Sequence, residues 1–461
     1  MLTTLLAGCV TDRYADPIAV AMDKTEGHDA RWAALEQAEK EMWDHPRRVE
    51  LLQKMVWERG YPSSYSNYAV DQLVAIDEPA AKAFLDDAIV LVKDWETLQH
   101  ILDTAVSRGW KDFVPAVVRS YAMRSQSIRD EDRPERKAIE ALLPGVAMEE
   151  VVVGVFAESH ELSVTRRVAA WALLCRLLED EGKLVEVLRR VELHDPLLVD
   201  LKAGAVELGI VPSQMETVAW LQLLRTPEHR VFWSRAAGVV EGLGREQRRG
   251  LELRHLATLI YLADREPGVL RQGREELLSE LGAWDASREH YTKGPTYDGP
   301  MDEHPQRFEH WKEGLAWADL ATMKAMASIL ESERVTRAFF VHADEDNADS
   351  STELGGLLQR DEAGDPYVHA YAPMARSHDL KYIPPKQLVL EGYTAIAHYH
   401  FHAQDHKNRR YAGPGLGDID RIAQTQRFTG LVLTFIDRDT LNVDLFFAPD
   451  VVIDMGTIRR K

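Results

Sequence analysis

The chain has 461 residues, of which 45% are apolar, so it is long enough for two or three domains with sizeable buried cores. Its 55 basic and 75 acidic residues give a formal net charge of −20 at pH 7, without a basic run or a basic face carrying interleaved aromatic residues. A nucleic acid or an anionic membrane surface is therefore not an expected partner. No stretch approaches the roughly 20 consecutive apolar residues that a membrane-spanning helix needs.

The N-terminal segment LLAGC ends at Cys9. It resembles the lipobox of bacterial lipoproteins, in which the cysteine receives a lipid and becomes the new N-terminus. A charged region before the motif is missing and the apolar stretch is short, so the alternative is a plain apolar N-terminus on a soluble chain. The resemblance implies that residues 1–27 are a lipoprotein signal remnant and tether. It also implies a lipid-anchored place in the bacterial envelope, on the periplasmic or outer-membrane face, with membrane contact through the lipid only.

Residues 28–290 follow a helical pattern almost throughout. Apolar residues recur there with the spacing of one helix face, as in the stripe formed by Val164, Val168, Trp171, Leu174 and Leu178. The rough periodicity resembles a degenerate HEAT-like repeat of helical hairpins, with an irregular helical bundle as the alternative. A scaffold of this kind usually binds or spaces a partner and rarely performs chemistry.

The segment 291–307 is rich in glycine and proline and is predicted to be a linker. A helix is expected after it, from about Phe308 to Leu330. The segment VTRAFFVHA then predicts a strand, and TELGGLLQRDEAGDPYVHAYAP predicts two strands joined by a turn.

The residues from Leu390 to the end of the given sequence continue this mixed pattern. LEGYTAIAHYHFH predicts a long alternating strand, GDIDRIAQTQ a short helix, TGLVLTFIDRDTLNVDLFFAP a hairpin, and DVVIDM a final strand. Residues 308–461 are therefore expected to form an α+β domain, and the whole chain is expected to be multidomain.

Three histidines alternate in the long strand: His398, His400 and His402. Because side chains alternate along a strand, His400 and His402 share one face and can converge on one ion. Zinc suits neutral imidazoles, and a catalytic zinc takes three protein ligands. A Gly/Pro turn then brings Asp418 to a helix start, where it is the best third ligand, with Asp420 in reserve. The alternative is an exposed alternation of histidines or a hydrogen-bonded histidine in the core.

The C-terminal domain resembles the JAB/MPN, or JAMM, zinc metallopeptidase domain over about 120 residues. The resemblance is carried by Glu353 in TELGGLL, by His400 and His402 in YHFH, and by Asp418 in PGLGD. It implies a cytidine-deaminase-like sandwich in which the two histidines and Asp418 hold Zn²⁺ and a water takes the fourth position. Glu353 would then take a proton from the water and pass it to the leaving amine.

Three features depart from the family pattern. Ala403 replaces the usual proline after the second histidine, and the loop between His402 and Asp418 is longer than usual. Gly415 stands where the family has a serine that steadies the oxyanion, and the loss of such a donor typically costs about 10²–10³ in rate.

Two functions follow from this sequence. One is a zinc-dependent hydrolase of peptide or isopeptide bonds, acting on a protein or peptide substrate. The other is a non-catalytic JAMM-like scaffold that recruits a protein partner through its helical region. Glu353, His400, His402 and Asp418 favour the enzyme, whereas Gly415 favours the scaffold.

Overall fold

The structure is a computed structural model that describes residues 16–461 except 24, 42–45, 59, 125–127, 158–162, 179, 192–194, 292–303, 377–380 and 426–427. Cys9 and most of the predicted tether and linker lie outside these residues. The chain divides into two compact units, Met1–Asp180 and Glu181–Lys461. Helices 181–286 thus belong to the same compact unit as the C-terminal sheet, while the finer domain division made from the sequence stays a prediction.

The described part of the first unit is helical. Its α-helices are α1 (Pro17–Met22), α2 (His28–Glu41), α3 (Pro46–Trp57), α4 (Ser63–Ile76), α5 (Glu78–Ala88), α6 (Trp95–Arg108), α7 (Val114–Met123), α8 (Pro134–Leu142), α9 (Met148–Ala157) and α10 (Val164–Leu178). Helix α6 shows how the sequence sets such bounds. The Asp94 carboxylate accepts the Thr97 N–H at 2.7 Å, and Gly109 ends the helix at φ 66°, a conformation that favours glycine.

Buried arginines satisfy carbonyl groups near the C-terminal ends of helices in this unit. Arg31 Nε donates to the carbonyl of Ala21 at 3.2 Å, and Arg167 Nε donates to that of Phe156 at 2.9 Å. The last carbonyls of a helix have no partner within the helix, so these bonds replace the missing ones. Of the apolar stripe predicted on α10, Val168, Trp171 and Leu174 are buried, whereas Val164 is 54% exposed.

The second unit combines helices with a sheet. Its α-helices are α11 (Glu181–Arg190), α12 (Pro196–Ala203), α13 (Met215–Leu224), α14 (Arg230–Glu241), α15 (Arg245–Arg248), α16 (Leu256–Arg265), α17 (Arg274–Ala286), α18 (Phe308–Trp311), α19 (Trp317–Glu331), α20 (Glu333–Ala348), α21 (Lys386–Gly392) and α22 (Leu416–Thr425). The strands are β1 (Gly355–Arg360), β2 (Pro366–Tyr371), β3 (Ala397–His402), β4 (Gly430–Asp437), β5 (Thr440–Phe447) and β6 (Val451–Arg459).

The six strands form one mixed sheet in the order β2-β1-β3-β4-β5-β6. β3 and β4 are parallel, and the other neighbouring pairs are antiparallel. A helical region followed by an α+β region is therefore confirmed. No helix among the described residues combines the length and apolar character needed to cross a membrane.

The predicted strand VTRAFFVHA is wrong, because these residues lie inside α20. Val335, Phe339, Phe340 and Ala343 are buried, which is the spacing of one helix face rather than alternation. The aromatic and β-branched residues of the segment suit a strand by local preference, and packing on the sheet overrides it. The long strand predicted before the histidines is also shorter than expected, since its first part forms α21 and a turn.

The two faces of the sheet are covered by different elements. On one face Tyr399 and Phe401 of β3 are buried, and Phe339 of α20 packs on Tyr399 with ring centroids 5.2 Å apart. On the opposite face Ile422 of α22 packs with Val432 of β4 in an apolar cluster. The alternating histidines of β3 lie on this second face, beside a cavity of about 450 Å³.

Candidate metal centre

Strand β3 places the histidines in the middle of the sheet. It lies between β1 and β4, with His400 opposite Gly355 on one side and Val432 on the other. Burial alternates along the strand, so that the histidines are half-buried while their neighbours are fully buried on the other face. Because both flanking strands hold its backbone, β3 presents His400 and His402 as a fixed pair with ring centroids 5.3 Å apart.

Asp418 reaches the same place from the first turn of α22. The turn before this helix contains Gly413 at φ +91°, where a Cβ would also lie 2.6 Å from the Gln306 amide nitrogen. The backbone N–H of Gly415 donates to Asp418 Oδ2 at 2.9 Å and orients the carboxylate. Asp418 Oδ2 then lies 3.4 Å from His400 Nε2.

The three side chains could hold one metal ion. One ligand atom from each of His400, His402 and Asp418 lies within 4.8 Å of the others. A tetrahedral ion with bonds of about 2.0–2.2 Å separates its ligand atoms by roughly 3.3–3.6 Å, so small side-chain shifts would close the site. The predicted first choice of third ligand is thus the residue that the fold brings to the histidines, and the reserve, Asp420, is exposed and outside the group.

A hydrogen bond fixes which nitrogen of His402 faces the site. His402 Nδ1 lies 2.8 Å from the backbone carbonyl of Tyr411. A carbonyl only accepts, so Nδ1 carries a proton, and in the neutral imidazole the lone pair is then on Nε2. A histidine that ligates a metal usually donates its other N–H in this way, which sets both ring orientation and tautomer.

The electrostatic field at the centre favours a cation. Burial alone would lower the pKa of His400, but the carboxylate of Asp418, assisted by Glu353 and Asp346, outweighs burial and raises this pKa to about 9. Burial likewise acts to raise the pKa of Asp418, yet His400 holds it well below its usual range. Without an ion the two side chains therefore form a charged pair at neutral pH, and a bound cation would replace the proton on His400.

Glu353 lies beside the three candidate ligands. It is 6% exposed and borders the same cavity. The pairing of β1 with β3 extends to Leu354, whose carbonyl accepts the Phe401 N–H at 3.2 Å. Because Gly355 is opposite His400 and side chains alternate, Glu353 is on the face that carries the histidines. The structure thus brings together all four residues that the resemblance implies.

His398 is on the same face but is not part of the ligand group. Its ring stacks on Phe428 with centroids 3.8 Å apart, and its Nε2 is buried without a hydrogen-bond partner among the described residues. Burial, together with the nearby guanidinium of Arg421, lowers the pKa of His398 to about 3. The imidazole is therefore neutral and contributes to the cavity wall.

Two contributors to the centre have no sequence signal of their own. The carbonyl of Tyr411 is a backbone group in an irregular loop, so only the fold reveals that it orients His402. Asp346 is fully buried, and its carboxylate accepts the N–H of Leu354, next to Glu353. It follows a segment predicted as a strand, and only the helix that forms there carries it beneath the site.

Comparison with known proteins adds no relative, since no family model, no curated protein and no solved structure matches the chain. The candidate centre is therefore argued from its own geometry.

Proposed function

We propose that the protein is a zinc-dependent hydrolase of peptide or isopeptide bonds, with a JAMM-like C-terminal domain. The observation that supports this most is the convergence of two imidazoles and one carboxylate beside a separate buried carboxylate, Glu353, in one cavity. Two nitrogen ligands and one oxygen ligand suit zinc and leave a position open, as catalytic zinc sites do.

The chain's residues divide into two groups by role. His400, His402 and Asp418 would hold the ion, which supplies Lewis-acid chemistry at the scissile carbonyl when bound. Glu353 would take a proton from the attacking water and later deliver it to the leaving amine. Glu353 is buried, and the N–H of the next residue, Leu354, donates to Asp346, which holds the backbone beside Glu353.

Gly415 supports a second candidate, a binding scaffold without catalysis. No side-chain hydroxyl is available at this position, and the backbone N–H of Gly415 is already engaged with Asp418. The scaffold would keep the ion or the charged His400–Asp418 pair for stability and would recruit a protein partner through the helical region.

Metal analysis of the purified full-length protein tests the zinc assignment. We expect about one zinc per chain, and loss of that zinc in the double variant His400→Ala/His402→Ala. His406→Ala is the matched control, because His406 follows the same strand but does not belong to the ligand group. Zinc retained by the double variant would reject the assignment.

A peptide-library screen separates the enzyme from the scaffold. Hydrolysis should disappear with a chelator and return with added zinc. Gly415→Ser restores the hydroxyl of the family pattern, and among the described residues its Cβ would meet only Asp418 Oδ2, at an ordinary contact distance of 3.4 Å. If neither the natural chain nor Gly415→Ser hydrolyses any peptide while both bind zinc, the scaffold becomes the better account.

Lipid attachment at Cys9 is a separate part of the proposal and rests on the sequence motif. A bacterial host fed a clickable fatty acid should label the full-length protein, and Cys9→Ala should remove the label. Cys175→Ala is the control for nonspecific labelling, because this second thiol is buried. A label that survives Cys9→Ala would argue against the anchor.

A further inference from the structure

We propose that the cavity beside the metal centre is a specificity subsite for a large apolar side chain of the substrate, next to the bond that is cut. The inference rests on the proposed function, since it names the substrate class of the same site. It goes beyond the metal and proton chemistry, because it concerns residues that neither ligate nor transfer protons.

The walls of the cavity away from the ion are mostly apolar. Leu388 and Val389 of α21 form one side, together with Tyr382, and Ile422 and Phe446 form the other. A wall of this composition removes apolar surface from water but offers little to a polar group.

The apolar wall is continuous with the ligands of the ion. The ring of Phe446 approaches His400 edge-on with centroids 6.3 Å apart. Gly430 makes this position possible, since a Cβ there would lie 2.4 Å from the Phe446 ring. A substrate whose scissile bond lies at the ion would therefore extend the neighbouring side chain along Phe446.

The floor of the cavity is an aromatic stack. His398 lies on Phe428, and Phe428 packs against Trp220 with centroids 6.1 Å apart. Trp220 is on α13, and its indole N–H donates to the carbonyl of Tyr393 at 3.0 Å. The helices of the second unit thus hold the floor in place, which lowers the entropic cost of binding a side chain there.

Charge further limits the occupant. Lys381 and Arg421 are exposed and also line the cavity, so they would repel a lysine or arginine side chain that lies beside them, away from the carboxylates of the metal centre. The volume of about 450 Å³ accommodates a phenylalanine or leucine side chain in addition to the reacting groups.

Inhibitor binding tests the subsite without requiring turnover. Two dipeptide hydroxamates that differ only in a phenylalanine or a glycine beside the zinc-binding group are titrated into the zinc-loaded full-length protein by calorimetry. We expect the phenylalanine compound to bind about 10- to 100-fold more tightly, as burial of a large apolar group predicts. Equal affinity for the two compounds would overturn the subsite.

A space-filling substitution locates the effect. Val389→Trp fills the cavity and should bring the affinities of the phenylalanine and glycine compounds to within about threefold of each other. Binding of the glycine compound should be retained. Leu390→Trp is the matched control, because the neighbouring Leu390 is 45% exposed and does not line the cavity. A preference that survives Val389→Trp would place the recognition elsewhere and reject the proposal.

A second probe keeps this inference distinct from the zinc assignment. A fluorinated phenylalanine amide, followed by fluorine NMR, should bind the metal-free protein at millimolar concentration and lose binding in Val389→Trp but not in Leu390→Trp. Binding of this probe without zinc uptake would reject the hydrolase and retain the apolar site. Zinc uptake and hydrolysis without any binding or side-chain preference would retain the hydrolase and reject the site.

Discussion

Buried charges serve different ends in the two units. In the first unit Arg48 is 1% exposed and makes a two-pronged contact with Glu39, with nitrogen–oxygen distances of 2.6 and 2.7 Å. In the second unit Asp418 and Glu353 surround the imidazole of His400 beside an open cavity. A charge paired in a fixed geometry between helices stabilises packing. Charges that meet at a cavity, with three ligand atoms within 4.8 Å of one another, indicate chemistry instead.

This contrast yields predictions that separate stability from metal binding. Variants at the ligands or at Glu353 should change zinc binding or hydrolysis and leave the free energy of unfolding nearly unchanged. Variants of buried ion pairs in the helical unit should lower the free energy of unfolding and leave zinc binding unchanged.

The largest effect is expected for Glu353→Gln. The amide keeps the shape of the side chain and removes the base, so hydrolysis of a screened peptide should fall by about 10²–10⁴. Zinc content and melting temperature should remain close to those of the natural chain, because Glu353 is not in the ligand group. Unchanged hydrolysis would exclude Glu353 as the proton carrier, and loss of zinc would make it a ligand.

The next largest effect is expected for Arg48→Met in the helical unit. Removing one partner leaves Glu39 largely buried without its ion pair, which typically costs about 3–5 kcal/mol of unfolding free energy. Arg47→Met is the neighbouring control. The side chains of Arg47 and its partner Asp16 are 45% and 42% exposed, and exposed pairs contribute about 0–1 kcal/mol. Denaturant unfolding measures the stability of both variants, and their zinc content should be unchanged. Equal destabilisation by Arg48→Met and Arg47→Met would show that burial of the ion pair does not matter for stability.

A smaller effect that depends on pH is expected for Asp444→Asn. Burial, and the charge of Asp454 directly opposite on β6, raise the pKa of Asp444 well above its usual range, despite donors at Asn442 and Gly413. A raised carboxyl pKa favours the folded state at low pH, and stability is lost as pH rises above the unfolded pKa of about 3.9.

The uncharged amide removes the cost of burying a charge at this position. Asp444→Asn should therefore raise the free energy of unfolding by about 1–3 kcal/mol at pH 7 and by little near pH 4. Thermal unfolding at both pH values measures the gain. The exposed Asp450→Asn serves as the control and should show no such difference. A larger gain in stability at pH 4 than at pH 7 would show that the pKa of Asp444 is lowered in the folded state, not raised.

The smallest effect is expected for His398→Leu. The substitution removes both ring nitrogens but keeps an apolar side chain against Phe428, so zinc content and affinity should stay within about twofold. His402→Ala, measured alongside by the same zinc titration, should lose binding. A strong loss in His398→Leu would show that the third alternating histidine takes part in the centre.

The sequence by itself determined the local features whose causes are local. Alternation along a strand puts His400 and His402 on one face whatever surrounds them. The Gly/Pro turn before Asp418 predicts a helix start, and the α22 helix begins at Leu416. The turn DEAGD likewise joins β1 to β2, because its polar and glycine residues suit a reversal of the chain. In the predicted turn DRDTLN only Arg438 and Asp439 lie between β4 and β5, and the residues that follow belong to β5.

The tertiary structure decided the features that depend on distant residues. The segment at 335–343 has local preferences of a strand, yet packing on the sheet makes it part of α20, and only then does Asp346 lie beneath Glu353. The orientation of His402 depends on a backbone carbonyl of a loop, and the cavity floor depends on Trp220 of a helix far away in sequence. Such contacts are set by burial and shape across the whole unit, and no window of the sequence contains both partners.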